Sequence, residues 1–154
     1  MRFSLGAESR QQITGGKDLA EAPKPHKNLR AWQAAMELVD TVYRATAASP
    51  AHERYGLASQ IQRAAVSVPS NMAEGAARRS GAEFLNFLHA ARGALAELDT
   101  QVEIARRRGY LTIETHEQLS CLIDEVGRTL QGLIAPHRRK IADGEPRGAR
   151  AGAK

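Results

Sequence analysis

From about residue 29 to residue 135 apolar residues recur at alternating intervals of three and four, the spacing of one face of a helix with 3.6 residues per turn. No stretch alternates in twos, so no strand is predicted. The pattern divides into four helices. The first starts after Asn28 as N-cap and runs to about Ala48, where Ser49-Pro50 stops it. Its apolar stripe is Leu29, Trp32, Met36, Val39 and Tyr43. The second begins near Glu53, carries Leu57, Ile61, Ala64, Val68 and Met72, and ends near Arg79. Pro69 inside it lacks an N–H and crowds the preceding turn, which predicts a kink. The third opens with Ser80-Gly81-Ala82-Glu83, a capping box in which Ser80 and Glu83 satisfy each other's unpaired amides. Its stripe is the longest: Phe84, Leu88, Ala91, Leu95, Leu98, Val102, Ala105. Gly109 closes it, behind Arg106, Arg107 and Arg108, where the helix dipole favours cations. The fourth starts after Thr112, turns Leu119, Leu122, Val126, Leu130 and Leu133 inward, and ends at about Ala135, before Pro136.

Connections of a few residues send each helix back beside its predecessor, so the expected fold is an all-α, antiparallel up-down-up-down four-helix bundle. It occupies residues 28–136. Residues 1–27, with Gly15-Gly16, Pro23 and Pro25, and residues 137–154, with Gly144 and Pro146, have no apolar period and read as disordered ends. Four apolar residues fall off the main stripes: Phe87, Ile104, Ile123 and Ile134. That surplus points to self-association.

At 154 residues the chain suits one domain with a proper core. Aromatics are only 5% of it, which agrees with helices rather than pleated sheet. The single cysteine, Cys121, excludes an internal disulfide and a Cys-clustered zinc site, and its place beside the last stripe reads as a small packed hydrophobe. No apolar run approaches the roughly 18 residues of a membrane span, and the first residues lack the apolar core of a secretion signal. The expected location is the cytoplasm. The formal charge of +5 is unevenly spread: residues 29–136 hold eleven Arg and twelve acids, and the excess lies in the two ends. A basic balance alone would suggest nucleic acid; the division moves that signal to the ends and to local Arg clusters.

Beside the apolar stripe of the second helix runs a polar row, Gln60, Arg63, Ser67, Asn71, Glu74 and Arg78, spaced 3-4-4-3-4. A solvent face usually alternates Lys, Glu and Arg. This row is rich in groups that both donate and accept, and it passes the Pro69 position. Pro69 frees the Ala65 carbonyl, for which Ser67 or Asn71 is a candidate donor. Two readings stand: a polar network that fixes helix register, or a seam that faces a ligand or partner. Catalysis is not expected. No Glu-x-x-His pair of the di-metal bundle type occurs, His26, His52, His89, His116 and His137 are dispersed, and there is no Gly-rich phosphate loop. Neither a metal nor a cofactor is expected.

Residues 55–75, and above all Ser67-Val68-Pro69-Ser70-Asn71-Met72-Ala73-Glu74-Gly75, resemble the signature of the bacterial 23S rRNA intervening-sequence proteins. Leu29-Arg30-Ala31-Trp32-Gln33, Ala96-Glu97-Leu98 and Gly109-Tyr110-Leu111 match further parts of it, and the resemblance covers about residues 28–135. That family is similar to the accessory variability determinant proteins of diversity-generating retroelements, pentameric barrels that bind nucleic acid and a reverse transcriptase. The resemblance implies a homo-oligomer, by analogy a pentamer, with no established chemistry. The chain departs from the pattern in its long N-terminal lead, at Ala94 where Ser is usual, and at Arg108 where an apolar residue is usual. Two functions follow. In the first the oligomer binds RNA or DNA, or a ribonucleoprotein partner, through Arg78, Arg79, Arg106, Arg107, Arg108, Arg138, Arg139 and Lys140, because guanidinium groups suit phosphate. In the second it is a scaffold that docks another protein.

Overall fold

The computed structural model describes residues 24–144. The expectations for residues 1–23 and 145–154 lie outside them. The described chain is all-α: α1 Arg30–Ala47, α2 Leu57–Ala76, α3 Gly81–Arg107 and α4 Ile113–Ala142, with short 3-10 turns at Pro25–Asn28 and Ala51–Glu53. Each helix packs against its two neighbours in the ring α1–α2–α3–α4–α1. One end of the bundle gathers the start of α1, the end of α2, the start of α3 and the end of α4. There Pro25 and Leu29 share a hollow with Gly75, Arg78 and Phe84, and the Phe84 ring meets His137 edge-on at 4.9 Å. At the opposite end Tyr110, just past α3, bonds Glu53, just before α2.

The core runs the length of the ring: Ala35, Leu38 and Val42 from α1, Ala65, Val68 and Met72 from α2, Leu88, Ala91 and Leu98 from α3, Val126 and Leu130 from α4 are all fully buried. On α3 the expected stripe is the buried face, with Phe84 half-buried at its start. On α1 it is not. The buried face is Ala31, Ala35, Leu38 and Val42, one residue out of step with the expected stripe; Trp32 and Val39 are half-buried, and Met36 and Tyr43 are exposed. Small residues let α1 approach its neighbours closely, and the larger side chains are pushed to the flank. On α4 Ile123 and Ile134 are buried while Leu122 and Leu133 sit half-buried beside them. Two of the four surplus apolar residues are therefore core, which weakens that argument for self-association. Cys121 is exposed, not packed.

The helix ends follow local chemistry in most places. Ser80 Oγ accepts from Glu83 N at 3.1 Å; the hydroxyl then donates to the Glu83 carboxylate at 3.0 Å, in place of the expected return bond to the Ser80 amide. Thr112 caps α4 by accepting from Thr115 N. Gly109, at φ 74°, ends α3 with a six-to-one bond from Tyr110 N to Ala105 O and a bond from Gly109 N to Arg106 O, the glycine-dependent helix stop. Asn28 does not cap α1: it belongs to the preceding 3-10 turn, and Leu29 stands at the N-cap with no capping side chain. The second helix starts at Leu57 rather than near Glu53, because Glu53 folds back to accept from Leu57 N at 2.9 Å.

Pro136 does not end α4, which continues to Ala142 and takes residues 137–142 out of the expected disordered tail. The lost bond would have gone to the Gly132 carbonyl, and Pro136 is exposed, so water can satisfy that oxygen. The next turn is held instead by His137, whose Nδ1 donates to Leu133 O at 2.8 Å. Within α2, side-chain donors serve the turn around Pro69: Ser70 Oγ to Val66 O at 2.7 Å and Asn71 Nδ2 to Ser67 O at 2.8 Å. The carbonyls served are those of residues 66 and 67, not of Ala65.

Candidate nucleic-acid interface

The Arg clusters named from the sequence separate to opposite ends of the bundle. Arg106, Arg107 and Arg108 close α3 at one end, and intramolecular partners hold all three. Arg106 grips Glu103 with both Nε and Nη2, at 2.8 and 2.7 Å, and Arg107 Nε adds a third bond at 2.8 Å. Those hydrogen bonds, Arg106 first and Arg107 next, pull the Glu103 pKa down to about 2, while Glu103 raises that of Arg106. His116 Nε2 stands 3.4 Å from the same carboxylate. Arg108 lies over the Tyr110 ring, 6.0 Å from its centroid. The Tyr110 hydroxyl donates to Glu53 Oε1 at 3.1 Å. The Leu57 amide is the main cause that lowers the Glu53 pKa, with Tyr110, His52 and Arg108 adding to it. This end is a latch that ties the close of α3 to the start of α2. Arg108, unusual for the pattern the sequence resembles, has a ring to cover.

The Glu103 cluster makes a pH prediction. A carboxylate whose folded pKa lies below its ordinary value stabilises the fold above that ordinary value and loses the contribution as it protonates. The Glu103 pairs should therefore act fully at neutral pH and fade between about 4.5 and about 2. Thermal melts of the wild type and Glu103→Gln should differ at pH 7 and converge as the pH approaches 2. A constant gap across that range would contradict the assignment.

At the other end the charge is less committed. Arg78 is partly engaged, paired with Glu74 at 2.8 Å and stacked 5.0 Å over Phe87. Arg79, Arg138 and Arg139 are exposed and make no ion pair among the described residues. Lys140 stands on the same last turn of α4. The topology also brings in Lys27 and Arg30, which the sequence reading passed over: Pro25 and Leu29, beside them in the chain, line one hollow of about 210 Å³ with Arg78, Arg79 and Gly81. No local signal puts residue 30 beside residue 79. Among the described residues the carboxylates at this end are Glu74, occupied by Arg78, Glu83, occupied by the Ser80 cap, and Asp143 at the close of α4. The first turn of α1 contains no acid and has no capping side chain.

The polar row of α2 does not form one network. Ser67 and Asn71 are half-buried and bonded to each other at 3.0 Å, and Glu74 is taken by Arg78. Gln60 and Arg63 are exposed and without a side-chain partner among the described residues. Among the described residues no group of His, Cys, Asp and Glu gathers that could hold a metal ion, and no helix is long and apolar enough to cross a membrane.

Ring packing, a full-length core and the absence of strands among the described residues define the protein as an all-α four-helix bundle. The chain belongs to the 23S rRNA-intervening sequence protein family, whose model matches residues 27–132. It is also similar to a crystal structure of a protein with unknown function from the S23 ribosomal protein family of Bacteroides thetaiotaomicron. The TM-score is 0.63 at 22% identity, over 68% of this chain and 98% of that one. At that identity the likeness speaks for the fold. No curated protein matches the chain.

Proposed function

We propose that the protein is a non-enzymatic homo-oligomer that binds nucleic acid, alone or in a ribonucleoprotein, through phosphate contacts from the basic end of the bundle. The observation that carries this reading is the gathering at one end of Lys27, Arg30, Arg79, Arg138 and Arg139, where Arg78 and Ser80 already occupy Glu74 and Glu83 and Asp143 is the one further carboxylate among the described residues. Arginine presents a planar fork of donors that matches phosphate oxygens. The Arg106–Arg108 cluster contributes less, because Glu103 and Tyr110 compete for it. The pentamer implied by the sequence resemblance would repeat the basic end several times, and avidity would turn modest sites into a firm hold.

Phosphate binding releases counterions, and each phosphate neutralised contributes about −0.9 to the slope of log K against log salt for duplex DNA. Affinity for structured RNA or duplex DNA should fall steeply between about 50 and 200 mM salt. Replacing Arg79, Arg138 and Arg139 together by Gln should flatten the slope by roughly 2–3 for each protomer engaged. The same change at Arg106, Arg107 and Arg108 should leave it nearly unaltered. Anisotropy titrations at several salt concentrations read both outcomes. No binding by the intact oligomer to either RNA or DNA would favour the protein-docking scaffold.

A further inference from the structure

The hollow of about 210 Å³ at the basic end is apolar inside and cationic at its mouth. Its deeper lining is Leu29, Gly75, Ala76 and Phe84, all buried or half-buried, while Arg78, Arg79 and Gly81 are exposed. No carboxylate is among the described residues that line it. Phe84 lies against the bare backbone of Gly75, where an ideal Cβ would stand 2.9 Å from Phe84 Cδ2. At the mouth a Cβ on Gly81 would meet nothing within 4 Å.

The two arginines differ. Arg78 is fixed, paired with Glu74 at 2.8 Å and stacked 5.0 Å over Phe87. Arg79 makes no ion pair among the described residues. One guanidinium therefore builds the wall, and the other is available to an anion. Aromatic surface continues beside the hollow: Trp32, one turn along α1 from Leu29, is half-buried and meets His26 edge-on at 5.2 Å. Basic residues interleaved with aromatic rings suit a single strand, whose bases stack on the rings while the cations follow the backbone.

An occupant must present a flat apolar face to Leu29 and Phe84 and a negative charge to Arg79. An unpaired nucleotide does both, since its phosphate follows the base by a few bonds. A base inside a duplex does not, because its neighbours cover both faces. The volume lies below the roughly 300–1,000 Å³ of pockets that enclose a drug-sized ligand, which fits one ring system rather than a base pair.

We infer that this hollow captures one unpaired base of single-stranded nucleic acid, with a neighbouring phosphate on Arg79. This rests on the nucleic-acid reading proposed above and adds a preference to it. Phosphate contacts carry no information about the bases, whereas an apolar hollow responds to whether a base is there.

The test is fluorescence anisotropy on the full chain with two labelled probes of equal length, a single-stranded oligothymidylate and the same sugar-phosphate chain with abasic sites throughout. Stacking of one base on an aromatic side chain corresponds to about a five- to hundredfold gain in affinity, so the wild type should prefer the oligothymidylate by at least about fivefold. Phe84→Leu keeps the apolar bulk without the ring and should lose most of that preference. Gly81→Leu, at an exposed position with open space around its Cβ, should lose it by filling the mouth. Circular dichroism checks that each variant is folded, and Gly81→Leu, away from the packed interior, carries the test if Phe84→Leu unfolds. Equal affinity of the wild type for the two probes overturns the inference, as does a preference kept by either folded variant. Salt-sensitive binding to duplex DNA without a preference for the oligothymidylate would refute only the capture of a base. Failure to bind either probe or duplex DNA would refute the nucleic-acid reading as well.

Discussion

Leu98→Ala is expected to destabilise the protein by about 2–5 kcal/mol, the sum of lost transfer energy and of the cavity left behind. Leu98 lies near the middle of the buried stripe of α3, is fully buried, and belongs to the same continuous core as Leu38, Met72 and Leu130. With α2 and α4 packed on either side of α3, the site can collapse only partly, which favours the upper half of the range. Ile104→Ala is the comparison on the same helix. Ile104 is 44% exposed, and its truncation should cost no more than about 0.5 kcal/mol. Chemical denaturation at one fixed protein concentration, needed because assembly adds to apparent stability, measures both. A loss below about 1 kcal/mol for Leu98→Ala would mean that α3 turns a different face inward.

Gly75→Ala is expected to be unfavourable although alanine is the better helix former. The helix-propensity term alone would stabilise by about 1 kcal/mol. Against it stands a steric term: the added Cβ would lie 2.6 Å from Phe87 Cβ and 2.9 Å from Phe84 Cδ2. Phe87 Cβ is fixed to the backbone of α3 and cannot swing aside, so the two helices must part. Overpacking of this kind costs about 1–3 kcal/mol, and at such a distance we expect it to exceed the propensity gain. Gly93→Ala and Gly132→Ala separate the two terms, since nothing lies within 4 Å of a Cβ at either position. Each should stabilise by roughly 0.5–1 kcal/mol. If Gly75→Ala melts with them rather than below the wild type, the close approach of α2 and α3 is wrong.

The sequence alone determined the four helices, the close of α1, both ends of α3, the start of α4 and the inward face of α3. These are local matters. A helix period is written in consecutive residues, and a cap needs only a side chain three positions from the amide it bonds. Thr112, Ser80 and Gly109 act as their immediate neighbours predict. The polar row of α2 was legible as a row, and the family signature around Pro69 as a signature.

Tertiary structure decided what depends on which neighbour a residue meets. On α1 two apolar stripes lie one residue apart, and the pattern of large side chains favours the wrong one. Ala31 and Ala35 are buried because their smallness permits close packing, a property visible only once a partner helix is present. Ile123 and Ile134 entered the core for a related reason: α4 touches both α1 and α3, so its buried arc is wider than a single stripe. Pro136 should have stopped α4, yet His137, held against Phe84 from another helix, supports the turn beyond it. The candidate site followed the same rule. Runs of Arg can be read from the chain, but whether a guanidinium is spoken for is settled by its partners. Glu103 claims Arg106 and Arg107, while the meeting of helix ends places Arg30, Arg79 and Arg138 at one pole, because charge acts through space and not along the sequence.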